Sequence, residues 1–179
     1  MAYFYCNRNE STRQDPGNIL RSFVKQLSIS LSTGNVHNAL IEVYQKKKRA
    51  GFASAVLTFE DSQTLLHTLV QAYSQTILVL DALDESDERV RANLIEVLNN
   101  LVTKSQHLKI FISSRRDDDI KCQLEKEANI GIAATDNDED ISKFVADRID
   151  QGQKYRRKPI SEDLQNEIIQ TLLKKSQGM

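Results

Sequence analysis

The stretch that most restricts what this chain can fold into is I-L-V-L-D at residues 77–81. Four apolar side chains follow one another without the polar alternation of a half-exposed strand. Such a run predicts a parallel strand covered on both faces. A second run, L-K-I-F-I-S at 108–113, predicts another buried strand and stops at S-S-R-R-D-D-D. Both strands therefore end in polar and charged groups.

Helical patterns lie between and around them. After Asp15 as a cap and Pro16 in the first turn, Ile19, Leu20, Phe23, Val24 and Leu27 recur at helical spacing. A second helix is expected over Val36–Ala50, stopped by K-K-K-R-A-G. Asp61 or Ser62 is expected to cap a third, running to about Ser74. Helices are also expected over Asp87–Thr103, over Asp117 to about Glu127, from the acidic turn at 136–140 to Gln151, and from Ser161 onward. Ala2–Cys6 and Asn129–Ala134 read as further extended segments. Strands alternating with helices imply right-handed crossovers and a mainly parallel sheet, an α/β fold.

The bulk numbers exclude several classes. Twenty-four basic residues against twenty-five acidic ones leave a net charge of −1, which gives no electrostatic reason to bind nucleic acid or an anionic membrane. No apolar run approaches the roughly 20 residues of a membrane helix. Cys6 and Cys122 are the only cysteines, too few for a disulfide scaffold, so a reducing, cytoplasmic setting is expected. His37, His67 and His107 show no metal-ligand spacing, and K-K-K-R at 46–49 and Y-R-R-K at 155–158 read as solvated charge.

In an open parallel sheet, ligands bind outside the carboxyl ends of the strands. Asp81 sits at such an end, and Asp84 and Glu85 follow two residues later. A hard Mg²⁺ ion on a triphosphate keeps several waters and needs a carboxylate nearby, which a strand-end Asp supplies. A second carboxylate can orient or deprotonate an attacking water. Glu85 is the first candidate for that role and Asp84 its competitor or partner. The competing reading of D-E-S-D-E before a helix is ordinary capping and dipole chemistry. At the second strand end, Ser113, Ser114 and Arg115 emerge beside Asp81 if the two strands are neighbours. Arg115 there could sense a γ-phosphate or stabilise transition-state charge. Its competing role is pairing with Asp117, Asp118 or Asp119.

In order along the chain, Y-F-Y-C-N-R-N-E, D-P-G-N-I-L-R-S-F-V-K-Q-L, T-I-L-V-L-D-A-L-D-E and L-K-I-F-I-S-S-R-R-D-D-D-I resemble the NACHT branch of the STAND P-loop NTPases. The resemblance is closest to nephrocystin-3-like N-terminal domains of fungal NLR-type proteins. It implies a P-loop NTPase-like three-layer sandwich, and it makes Asp81 the Walker B acid holding Mg²⁺ through water. By the same resemblance Asp84 and Glu85 are the following acidic pair, Arg115 is the sensor 1 arginine, and Ser114 lies beside it at the cofactor. ATP or GTP with Mg²⁺ is the implied cofactor of a complete domain, and oligomerisation between NACHT domains is the implied partnership.

The same family requires G-x-x-x-x-G-K-[ST], whose backbone amides and Lys grip the phosphates. Glycines stand at 17, 34, 51, 131, 152 and 178, and none is followed by Lys and then Ser or Thr. The sequence is thus expected to be a fragment: residues 1–150 a partial NACHT domain after the P-loop, and 151–179 a linker and the start of a helical subdomain. On this expectation the P-loop strand is missing from the sheet between the strands at 108–113 and 129–134. The expected function is part of a nucleotide-dependent signalling switch, without ATPase activity by itself. The alternative is a non-enzymatic, degenerate NACHT module acting in protein–protein association. A free-standing carboxylate Mg²⁺ site of another α/β family ranks third, because it lacks a further acidic strand end.

Overall fold

In the computed structural model, the described residues are 1–29, 34–51, 56–133, 138–153 and 160–176. They form two compact units, Met1–Glu127 and Ala128–Met179. The Y-R-R-K segment at 155–158 lies outside the described residues.

The first unit is built on a parallel sheet of three strands, β1 (Ala2–Tyr5), β2 (Thr76–Asp81) and β3 (Leu108–Ile112), in the order β1-β2-β3. The register pairs Ala2 with Leu78 and Leu78 with Ile110. Because side chains alternate across a sheet, this register puts Ala2, Leu78, Leu80 and Leu108 on one face, where all are buried. Helices α1 (Pro16–Leu27), α3 (Phe59–Gln71) and α4 (Glu88–Lys104) share that core. They contribute Ile19, Leu20 and Phe23, then Leu65, Leu66 and Leu69, then Leu94, Ile95 and Leu98. Apart from Val90, which periodicity puts on the buried side of the helix over 87–103 but which is 38% exposed, the apolar stripes expected from sequence are the stripes that pack.

Two expectations are corrected. Among the described residues of this unit, β2 is covered on one face only: Leu78 and Leu80 are buried, whereas Ile77 and Val79 are half-buried. Their face is flanked by Tyr3, Tyr5 and Phe111, which are 51%, 54% and 59% exposed. The described residues of this unit therefore build two layers, a sheet and one helical layer, compatible with a P-loop-like sandwich but short of three. The second correction concerns Asn129–Ala134. No strand forms over 129–133, and Ala134 lies outside the described residues. A strand exists only against a neighbour that accepts its hydrogen bonds, and no strand among the described residues pairs with this segment.

Helix boundaries follow local chemistry. Asp15 accepts a hydrogen bond from the Gly17 amide at 3.0 Å, with Pro16 in the first turn. α2 (Asn38–Arg49) ends in its basic run, and Gly51 follows at φ 82°, where glycine is strain-free. α3 starts earlier than Asp61. Thr58 is its cap, accepting from the Asp61 amide at 3.1 Å, while the Asp61 carboxylate accepts from the Thr58 amide at 3.2 Å. This reciprocal box satisfies two orphan donors and so moves the start back by one turn. Lys47 of α2 also pairs with Asp61 at 2.7 Å, and this contact holds the Asp61 carboxyl below the ordinary carboxylate range. The first unit continues through α5 (Asp118–Leu124), whose Ile120 is buried. In the second unit, α6 (Asp138–Gln153) and α7 (Glu162–Ser176) pack together, and Arg148 stacks over Phe144 at 5.2 Å.

The box makes a stability prediction. Thr58→Ala is expected to cost about 1 kcal/mol and Thr58→Ser only a few tenths, since Ser keeps the accepting oxygen. Urea denaturation of both variants checks this, and equal midpoints for wild type and Thr58→Ala would refute the box.

Candidate functional site

Three parallel strands that run the same way deliver their carboxyl ends to one edge. Beyond β1 comes Arg8, beyond β2 come Ala82 to Glu85, and beyond β3 come Ser113 to Arg115. The strand ends are stitched together by backbone. The Cys6 amide donates to Asp81 O at 3.0 Å, Ser113 N to Leu80 O at 3.0 Å, and Leu83 N to Ser113 O at 3.0 Å.

Asp81 and Ser113 meet directly, the Ser113 hydroxyl donating to Asp81 Oδ1, while the Ala82 amide donates to Ser113 Oγ at 3.0 Å. Ala82 has φ 55°. Left-handed backbone at a residue with a Cβ is disfavoured by about 1–2 kcal/mol, and here it turns the chain abruptly off the strand into a 3-10 turn, Leu83–Glu85. Leu83 drops into the core, fully buried, so the two acids that follow are aimed at the rim.

Asp84 and Glu85 differ in their freedom. The Asp84 side chain is only 5% exposed, and both its oxygens are engaged. Oδ1 accepts from the Arg115 amide at 3.1 Å. Oδ2 faces Arg8 Nη2 at 3.4 Å and Arg115 Nε at 3.6 Å. Glu85 is more open: Oε2 accepts from the Arg8 amide at 3.1 Å, and Oε1 lies 4.0 Å from Arg8 Nε. Of the two acids, Glu85 is the more exposed, its side chain 26% against 5% for Asp84, which is bound up in charge pairing. The Ser114 hydroxyl turns to its neighbour's carbonyl, Arg115 O, at 2.8 Å. Asp81, Asp84, Glu85 and Arg115 thus gather at one end of the sheet, with Arg115 on the Asp84 side.

Arg8, Asp84, Glu85 and Arg115 line an open cleft of about 630 Å³, whose other wall is the start of α4 with Asp87, Glu88 and Arg89. Asp81 is not on that lining, because its carboxylate is turned toward Ser113. Among the described residues no three His, Cys, Asp or Glu side chains converge as a metal cage. The acids fit a water-rich Mg²⁺, which takes one or two carboxylates and completes its shell elsewhere. They do not by themselves fit a triphosphate.

Two residues escape the sequence reading. Arg8 is one, visible in sequence only as the polar residue after a strand. Arg91 is the other: it is 1% exposed and grips Asp119 through Nε and Nη2, both at 2.9 Å. It also approaches Asp117 Oδ2 at 3.5 Å and Leu83 O at 3.4 Å. So Asp117 and Asp119 belong to Arg91, and Arg115 is left to Asp84. An arginine on a helix pattern gives no signal of burial; only the fold brings its partners together. Beneath the acids, Cys6 is buried, and burial, with Asp84, Asp81 and Glu85 adding repulsion, pushes its thiol up to about 12.

The family described as Nephrocystin 3, N-terminal matches residues 1–115, a span from β1 through Arg115. No curated protein and no solved structure matches the chain.

The strained turn and the thiol each give a test. Ala82→Val is expected to destabilise by about 1–3 kcal/mol, because a β-branched residue resists left-handed backbone, while Ala82→Gly is tolerated or slightly stabilising. Thermal unfolding distinguishes the pair, and equal effects of the two would remove the strained turn. For the thiols, a raised folded pKa keeps Cys6 protonated. The stability this confers is whole below the ordinary thiol range and is lost as pH climbs from about 9 toward about 12. At pH 8, titration with a thiol reagent is expected to modify exposed Cys122 promptly and Cys6 only on denaturation.

Proposed function

The chain belongs to the nephrocystin 3 N-terminal family, and on that premise we propose that it supplies the carboxylate and arginine wall of a nucleotide pocket in a NACHT-type STAND switch, of the fungal NLR kind. The observation that carries this reading is the meeting of Asp84 with Arg115 at the carboxyl ends of neighbouring parallel strands. In this reading Asp81 is the Walker B acid that holds Mg²⁺ through water, and Glu85 orients or deprotonates the attacking water. Arg115 is the sensor arginine that reads the γ-phosphate, Ser114 lies beside it, and Asp84 is the acid that aims Arg115. Mg²⁺, when bound, neutralises phosphate charge. ATP or GTP is the nucleotide. The grip on the phosphates must come from a G-x-x-x-x-G-K-[ST] segment, which these residues do not contain.

The decisive experiment joins the chain to a segment carrying that loop and measures Mg-ATP binding and hydrolysis. Hydrolysis is expected to fall about 10²–10⁴-fold in Glu85→Gln, the usual worth of a positioned general base. Asp81→Ala is expected to lose Mg²⁺-dependent binding, and the chain alone to hydrolyse nothing measurable. Unchanged hydrolysis in either variant sinks the assignment.

A second, non-enzymatic reading is favoured by the open sheet face carrying Tyr3, Tyr5 and Phe111. Large exposed aromatic patches mark association surfaces. In this reading the chain is a degenerate module that binds other NACHT domains, and nucleotide-independent co-purification with a full-length relative would support it over the first.

A further inference from the structure

We propose that Arg8 is a second arginine for the phosphate, paired with Arg115 across Asp84 into a two-armed anion grip that operates only once a divalent cation is bound. The inference rests on the nucleotide-pocket reading and adds to it a residue which that reading leaves without a role.

Four observations carry it. The guanidiniums of Arg8 and Arg115 bear on the same oxygen, Asp84 Oδ2, at 3.4 and 3.6 Å, so one buried carboxylate holds the two side by side. Both remain largely in solvent, 54% and 68% exposed, and both line the cleft. Neither contact to Asp84 uses the full fork of a guanidinium, which leaves donors on each free for another oxygen acceptor. The Arg8 backbone is fixed as well, its amide donating to Glu85 Oε2 at 3.1 Å and its carbonyl accepting from Gln14 Nε2 at 2.6 Å. A residue held at its backbone and steered at its tip is preorganised, and binding through it costs little ordering entropy.

The charge count sets the condition. Three arginines, Arg8, Arg89 and Arg115, and five carboxylates, Asp84, Glu85, Asp87, Glu88 and Asp117, line the cleft, a net charge of −2 that repels an anion. A divalent cation held by these acids cancels that charge and leaves the arginines to act on the phosphate. Phosphate and metal are therefore taken together, and the ligand class is a metal-chelated polyphosphate. Asp84 serves as the internal counter-ion that keeps the arms parallel.

The test uses the 179-residue chain with Mn²⁺ alone, followed by water-proton relaxation, and with inorganic tripolyphosphate with or without Mg²⁺, followed by ³¹P line broadening. Wild type is expected to bind tripolyphosphate weakly, on the order of 1 mM, and only with Mg²⁺. Arg8→Ala is expected to weaken this about tenfold, the scale of one lost charge-assisted contact, while binding Mn²⁺ at least as well, since a neighbouring cation is gone. Arg8→Lys, which keeps the charge but not the fork, is expected to restore part of the loss. Wild-type binding that is undetectable or independent of Mg²⁺ overturns the proposal, as does undiminished binding in both Arg8 variants. The underlying nucleotide-pocket reading fails separately, if Asp81→Asn leaves the Mn²⁺ relaxation unchanged.

Discussion

Parallel pairing of β2 with its two neighbours is the constraint on which the rest depends. The register of Leu78 with Ala2 and with Ile110 decides which side chains enter the core. It also decides that three strand exits open on one rim. Had either neighbour run antiparallel, Arg8 or Arg115 would sit at the opposite end of the sheet from Asp84. The backbone bonds from Cys6 to Asp81 and between Leu83 and Ser113 prolong this order just past the strands, into the residues with charge.

Beyond those bonds, charge is divided by proximity. Arg91 is buried on α4 and claims Asp117 and Asp119, which locks the segment after β3 against the turn after β2. Only Arg91 is buried in this cluster, its acids being 37% and 43% exposed, so the two acids keep a buried guanidinium from standing unpaired. Asp84, with its carboxylate nearly out of solvent, takes the exposed Arg8 and Arg115. The outcome is a rim where one acid is tied to arginines and the next, Glu85, keeps more freedom. Cys6 beneath it registers the same field, since three acids near a buried thiol reinforce the desolvation that keeps it protonated.

Much of this was legible from residues alone. The cap at Asp15, the apolar stripes of α1, α3 and α4, and the strands β1 to β3 all rest on local chemistry, which the sequence states openly. The gathering of Asp81, Asp84, Glu85 and Arg115 was expected once two strands of continuous apolar character ended in charge. The expectation of two covered faces for β2 failed because an apolar run says only that a strand is apolar, and β2 has helices on one side. The segment at 129–133 failed as a strand for a related reason: extended propensity does not create a hydrogen-bonding neighbour.

By itself, then, the amino-acid order determined where chain segments become helix or strand and which residue types stand at the strand ends, because caps, periodicity and turns are set within a few residues. Only tertiary structure decided the partnerships: Arg8 with Asp84 and Glu85, Arg91 with Asp117 and Asp119, and Asp81 with Ser113. Those pairs join residues far apart in the chain. Ion pairs and hydrogen bonds act over a few ångströms, and which groups come that close is settled by strand order and register, quantities that no short stretch of sequence contains.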